Sequence, residues 1–277
     1  MREVSANASG SVRFGGVGLW LGAPGAGATG VLDRAADAAA GCERAGVGTL
    51  WVSEATGPPG AGTPYEAYSL LGALAVRSRS VRLGVVAGGA ERRAPSILAK
   101  IVTGVDVISH GRGLLALDGD CTSGTDAERL SEALIVTRSV LVDELPTYAG
   151  RIYSVDGAVN RPAPVQAGGV PIVVFLHGDG PGRGALLDVA ARSADAVVVD
   201  GGSDGVRDAC RRLDERTGGR PGPLGPLEIL GRVDPDGDGP GTVGAVGAIR
   251  SAGATGCLVG LRYPWDPGRI AVASGSW

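Results

Sequence analysis

A short, continuously apolar segment followed by helically spaced apolar residues recurs along nearly the whole chain, and no other feature limits the fold so tightly. Val12 to Leu21 reads as a first strand, Thr49 to Ser53 as a second, Val81 to Ala87 as a third and Gly113 to Leu117 as a fourth. Between them, Val31 to Ala45, Pro64 to Arg77, Pro95 to Ile108 and Thr125 to Leu141 carry the 3.6-residue spacing of a helix face. Asp33 and Asp37 lie near the start of the first helix, where its dipole favours acids. Pro95 suits the first turn of the third. Thr125-Asp-Ala-Glu128 fits a capping box for the fourth. The alternation pauses over Pro146 to Gly169, where Y-A-G-R-I-Y reads as a small hairpin and R-P-A-P-V-Q as an extended return. It resumes with strands at Pro171 to Leu176, Ala196 to Val199, Leu227 to Val233 and Cys257 to Leu261, separated by helices at Gly184 to Arg192, Gly205 to Thr217 and Val243 to Ser251.

Apolar strands each followed by a helix imply a parallel sheet covered on both faces. Eight strands within 277 residues predict an α/β fold, a (β/α)8 TIM barrel with a small insertion after helix 4 and a shortened C-terminal part. A doubly wound open sheet is the alternative, but Leu-Gly-Ala-Pro-Gly-Ala-Gly after the first strand matches a dinucleotide-binding turn poorly. Residues 1–11 read as a disordered leader and 12–277 as a single domain.

Composition narrows the function. A net charge of −3 gives no footprint for nucleic acid or an anionic membrane. No apolar run approaches the ~18 residues that span a bilayer, and M-R-E-V-S-A-N-A-S-G is no signal peptide. Cys42, Cys121, Cys210 and Cys257 form no C-x-x-C pair, which points to a reduced, cytoplasmic setting. With His110 and His177 alone, a His-rich metal site is excluded. The 49 glycines separate periodic segments, so most read as turns.

A barrel carries function in the loops beyond the C-terminal ends of its strands. That places Glu54 at the mouth of the second strand, Trp20 at that of the first, and Asp118 and Asp120 beyond the fourth. His177 lies beyond the fifth strand and Asp200 beyond the sixth. H-G-D-G-P-G-R-G, 177–184, is the most suggestive stretch. Its glycines let amides approach a ligand, a helix N-terminus follows, and Arg183 could add a charge-assisted bond to a phosphate. The same composition also suits a plain strand-to-helix turn. L-D-G-D, 117–120, could bind a metal, act as acid or base, or simply cap a turn. D-P-D-G-D-G, 234–239, resembles part of a calcium loop but lacks its Glu and flanking helices, so it reads as a solvated turn.

Several segments together resemble the luciferase-like monooxygenase superfamily of flavin- and deazaflavin-dependent barrels. C-E-R-A-G-V-G-T-L-W-V is similar to its second unit, and P-Y-E-A-Y-S-L-L-G-A-L-A-V-R-S-R-S-V-R-L-G-V-V to the next helix and strand. R-A-P-S-I-L-A-K-I-V-T-G-V-D-V-I-S-H-G-R resembles its third helix. R-L-S-E-A-L, then Y-A-G-R-I-Y-S-V-D-G-A-V-N-R-P-A-P-V-Q-A-G-G-V-P-I, resemble the fourth helix and insertion, and R-S-A-D-A-V-V-V the sixth strand. The likeness covers about residues 12–260, and the abundance of Arg, Ala and Gly is similar to actinobacterial members that use coenzyme F420.

The resemblance implies an oxidoreductase passing hydride between coenzyme F420, or alternatively FMN, and a small-molecule substrate. It implies cofactor contacts from Trp20, Val86, Ala87, Gly88, Gly178, Asp179, Gly180, Gly182 and Arg183, with a non-proline cis peptide around Val86 to Gly88. Glu54, Asp120 and His177 are the acid/base candidates. A homodimer without nucleic-acid or membrane partners is also implied. The chain departs from the family where Asp-His is usual after strand two, showing Glu54-Ala55, and where a Gly-rich loop and Glu are usual after strand four, showing D-G-D-C. A degenerate barrel serving as a cofactor-binding or dimer-partner scaffold is therefore the rival expectation.

Overall fold

The structure, a computed structural model, describes residues 14–22, 24, 28–54, 65–87, 93–122, 126–215, 224–234, 240–266 and 277. The expected leader at 1–11, Ala55, Gly88, Thr125 of the capping box and most of the 234–239 turn lie outside these residues. In chain order the first half comprises β1 (Gly16–Leu21), α1 (Val31–Ala45), β2 (Thr49–Ser53), α2 (Ala67–Arg77), β3 (Arg82–Ala87), α3 (Pro95–Ile108), β4 (Gly113–Asp120) and α4 (Asp126–Val142). A hairpin of β5 (Thr147–Ala149) and β6 (Ser154–Asp156) follows. The second half comprises β7 (Ile172–His177), α5 (Arg183–Ser193), β8 (Ala196–Val199), α6 (Gly202–Asp214), β9 (Glu228–Val233), α7 (Pro240–Ser251) and β10 (Gly256–Leu261).

Eight parallel strands close on themselves in the order β1-β2-β3-β4-β7-β8-β9-β10, with β10 pairing back to β1 from Gly16↔Gly256 to Leu21↔Leu261. Closure excludes the doubly wound open sheet. The helix boundaries follow local chemistry. Gly46 adopts φ 73° at the end of α1, a left-handed cap that glycine takes without a Cβ penalty. The Glu66 side chain accepts from Ser69 N at 2.7 Å to open α2, and Pro95 opens α3. Among the described residues no helix is long and apolar enough to cross a membrane.

Strand alternation sorts the side chains into two cores. One row packs against the helices, for example Leu19, Leu50, Leu83, Leu115 and Val174. The other fills the barrel, with Trp51, Val86, Leu114, Ala116, Val173, Phe175, Val198, Leu230 and Leu258 among its members. Trp51 is fully buried, and its indole occupies the space that a Cβ on Gly84 would need. The insertion is held by two buried carboxylates. Glu132 accepts from the amides of Arg151, Ile152 and Tyr153, each at 2.9 Å, and so closes the hairpin turn. Asp106 accepts from Val165 N at 2.7 Å and from Gln166 Nε2 at 2.7 Å, fixing the Pro-rich return.

One boundary differs from the sequence reading in a way that bears on function. β4 runs on through Asp118-Gly-Asp120, paired with Phe175, Leu176 and His177. L-D-G-D looks like a turn because turn formers crowd it. The ladder to β7 supplies its backbone partners and keeps it extended. The cis peptide bonds among the described residues are Arg161–Pro162 and Tyr263–Pro264, so the expected non-proline cis bond is not found between Val86 and Ala87.

Candidate active site

Counting in twos along each strand from its barrel-filling residues leads to the mouth. Ala116 is followed by Asp118, Phe175 by His177, Val198 by Asp200 and Leu230 by Arg232. Trp20 of β1 packs on the same core. These five side chains form a partly open polar and aromatic layer above the apolar filling. Trp20 meets Phe175 edge-on at 5.6 Å between ring centroids, and the Arg232 guanidinium carbon lies 4.1 Å from the Trp20 ring centroid.

His177 stands between two carboxylates. Its Nε2 is 3.2 Å from Asp118 Oδ1 and its Nδ1 is 3.7 Å from Asp200 Oδ2. The first contact has ion-pair distance but not hydrogen-bond geometry, so among the described residues Asp118 Oδ1 is buried without a hydrogen bond. Asp118, then Asp200, raise the His177 pKa to about 9 against the opposing effect of burial. The ring is therefore an imidazolium at neutral pH, and 35 % of its side chain remains exposed. Burial alone would raise the Asp200 pKa, but contacts with His177 and Arg232 leave it below the ordinary carboxylate value.

The turn after His177 folds back on the end of β4. Gly182 N donates to Cys121 O at 3.0 Å, and a Cβ on Gly180 would overlap that carbonyl. Gly178 has φ 77°, and among the described residues a Cβ there would meet only Thr122 Cγ2, at 4.0 Å. Arg183 is 5 % exposed and turned inward. Its Nη1 donates to Gly178 O at 3.2 Å and Asp179 Oδ1 at 3.0 Å, and its Nη2 to Asp200 O and Gly205 O, both at 3.2 Å. The guanidinium that the sequence assigned to a phosphate is thus a strap joining the loops after β7 and β8. Its hydrogen bonds brace the turn that follows His177 and leave the guanidinium facing inward.

The other acid/base candidates are tied up differently. Asp120 accepts from Thr122 N at 2.9 Å and Thr122 Oγ1 at 2.7 Å, and these bonds hold its pKa below the usual value. It caps the turn after β4. Glu54, 9 % exposed, is ion-paired with Arg93, which also meets Glu66 at 3.2 Å and lies 5.4 Å above the Tyr68 ring. Among the described residues no hydrogen bond or ion pair joins Glu54 to His177, Asp118, Asp200 or Arg232. Val86 is buried in the barrel filling, below the mouth. Cys42 and Cys257 have thiol pKa values pushed by burial to about 12, and Cys121 to about 11, which argues against a nucleophilic role. No group of His, Cys, Asp and Glu among the described residues could hold a metal ion.

A cavity of about 590 Å³ opens at the other end of the barrel, where Arg138 pairs with Asp195 at 2.8 Å. It touches none of these mouth residues. Arg232 is the functional candidate that sequence reasoning missed. Asp118 and Asp200 were visible as strand ends but not as a pair. The available signal was parity: each stands two residues beyond a barrel-filling residue.

Residues 12–227 match the luciferase-like monooxygenase family, and the chain belongs to it. A 142-residue stretch is 27 % identical to a 5,10-methylenetetrahydromethanopterin reductase of Archaeoglobus fulgidus; that match spans 48 % of this chain but only 40 % of the relative's length. The fold is also similar to that of an F420-dependent secondary alcohol dehydrogenase in complex with an F420-acetone adduct, with TM-score 0.74, 14 % identity, and coverage of 95 % of this chain and 98 % of the other. A further similar structure is the oxygenating constituent of 3,6-diketocamphane monooxygenase of Pseudomonas putida in complex with FMN, with TM-score 0.68, 12 % identity, and coverage of 95 % and 98 %. At such identities these two likenesses concern the fold.

Proposed function

We propose that this luciferase-like oxidoreductase binds a deazaflavin at the barrel mouth, coenzyme F420 in the first instance, and uses it to reduce a small organic substrate. FMN is the alternative cofactor. The relative and the two solved structures include proteins named for both, which supports the class and leaves the choice to experiment. The observation that carries the reading is His177, held as an imidazolium between Asp118 and Asp200 at a half-open position in the mouth.

The residues present fit such a group. The left-handed turn at Gly178, the backbone of Asp179 and Gly180 and the start of α5 suit an anionic tail, while Trp20, partly exposed and packed edge-on against the buried Phe175, offers aromatic surface in the layer that holds His177. When bound, the cofactor would supply hydride. Hydride added to the carbon of a polar double bond would send the π electron pair onto its oxygen or nitrogen, and His177 would donate the proton that neutralises that atom. Asp118 and Asp200 would keep that proton in place until needed. Asp120, fixed in its turn, and Glu54, neutralised by Arg93, are weaker candidates for the same task.

Titration of the purified protein with F420 and with FMN, followed by quenching of cofactor fluorescence, tests the reading. Saturable quenching by one of them is expected. Absence of binding by both at high concentration would leave the scaffold reading in its place. A homodimer remains part of the proposal and is checked by sedimentation.

A further inference from the structure

Arg232 is the member of the mouth layer that the proposed chemistry does not yet use. Its side chain is 20 % exposed and has three neighbours of different kinds. One face lies on the Trp20 ring at 4.1 Å. Nη1 is 3.5 Å from Asp200 Oδ1. Nε and Nη2 donate to Asp234 Oδ1 at 3.1 and 2.9 Å, which anchors the guanidinium from outside the ring of residues. The second oxygen of Asp200, Oδ2, faces His177 Nδ1 at 3.7 Å and accepts from Gly178 N at 3.4 Å. Asp200 is therefore gripped at both oxygens. Rotating its carboxylate toward one partner weakens its hold on the other.

We propose that Arg232 is a positioning residue: anchored by Asp234 and stacked on Trp20, it holds the Asp200 carboxylate where that carboxylate can orient the His177 imidazole in the barrel mouth. The proposal rests on reading His177 as the proton donor, and it joins that donor to Trp20, an expected cofactor contact. The charged groups around His177 are Asp118 and Asp120 from β4, Asp200 beyond β8, Arg232 from β9 behind Asp200, and Asp179 with Arg183 from the following loop, which pair with each other at 3.0 Å. Of these, Arg232 is the cation that contacts a carboxylate partner of His177 through its charged fork while lying outside the turn that follows His177.

A positioning role and a plain charge effect predict opposite signs. A nearby positive charge disfavours an imidazolium, so removing it should raise the affinity of His177 for its proton. Losing the brace on Asp200 should lower it. The chain has two histidines, and His110 lies before β4 at the far end of the barrel, so it serves as an internal reference. The experiment is an NMR pH titration of both imidazoles in the full chain, for the parent, Arg232→Met and Asp200→Asn. Asp200→Asn sets the scale for complete loss of that partner. Arg232→Met, which keeps length and much of the packing on Trp20, is expected to lower His177 proton affinity about tenfold, a change of one pH unit in its midpoint, with His110 unmoved. A rise in the His177 midpoint, or no change, would overturn the proposal. If Arg232→Met does not fold, Arg232→Lys replaces it. A point charge without the planar fork should lower the midpoint part-way, and an unmoved midpoint would again overturn the proposal. The titration needs no cofactor, so failure of cofactor binding in the parent would remove the proposed chemistry without touching this result.

Discussion

Glu54 at the end of β2 and His177 at the end of β7 occupy comparable strand ends on two flanks of one barrel. Their surroundings differ. Glu54 is 9 % exposed, pairs with Arg93, and is bordered by Tyr68, whose buried hydroxyl has no hydrogen-bond partner among the described residues and whose ionisation burial suppresses. His177 is 35 % exposed, and its two carboxylate neighbours approach from the sides. An ionisable group at a strand end is free for chemistry only when its partners leave it a face. On the β2 flank the partner neutralises the acid; on the β7 flank the partners charge the base and leave it reachable.

The largest effect expected on this contrast comes from the turn beneath His177. Gly180→Ala would drive a Cβ into the Cys121 carbonyl, and backbone cannot yield as a side-chain tip can. A loss of about 3 kcal/mol or more is expected in chemical denaturation. Tolerance of this change would show that the turn is not braced against β4. Next comes Arg183→Met. It removes the donors to Gly178 O, Asp200 O and Gly205 O and leaves the acceptor of the buried Gly205 unmet, at about 1–3 kcal/mol. Cofactor affinity should fall with it although the guanidinium faces inward. Unchanged affinity with lowered stability would separate the strap from cofactor binding.

A third expectation concerns pH. The folded-state pKa of His177 is raised from 6.5 to about 9, so its contribution to stability is full below 6.5 and disappears as pH rises through 9. The thermal midpoint of the parent should therefore decline across that window, and His177→Gln should flatten the decline. An equally steep curve in the variant would mean that other groups set it. The smallest effect is expected at Glu54→Gln. The amide can still accept from Arg93, so about 1 kcal/mol should be lost, with turnover falling less than in His177→Gln. The reverse order of turnover losses would move the proton donor to the β2 flank.

The strand-and-helix rhythm made the architecture legible before any coordinates. Thr49 to Ser53, Val31 to Ala45 and Ala196 to Val199 form elements with the bounds read from the sequence. The extension of β4 through Asp118-Gly-Asp120 was not legible, because its turn-forming residues are kept extended by pairing with β7, a neighbour more than fifty residues away. The candidate site was half legible. His177 and its glycine turn stood out by composition. Asp200 was visible as a strand end but not as a partner of His177, and Arg232 was not visible, because nothing local marks an Arg in a strand as facing another strand's carboxylate.

The amino-acid sequence by itself determined that this chain builds a parallel sheet of strand-and-helix units, since burial periodicity and glycine turns are properties of each short segment; the pairing of β10 with β1 decided that the sheet closes. Tertiary structure alone decided which charged residues meet. It turned Arg183 inward, joined Glu54 to Arg93, and brought Asp118, His177 and Arg232 from three strands, and Asp200 from just beyond a fourth, to one mouth. Pairing of charges depends on distance in space and on shared desolvation, and neither is written in spacing along the chain.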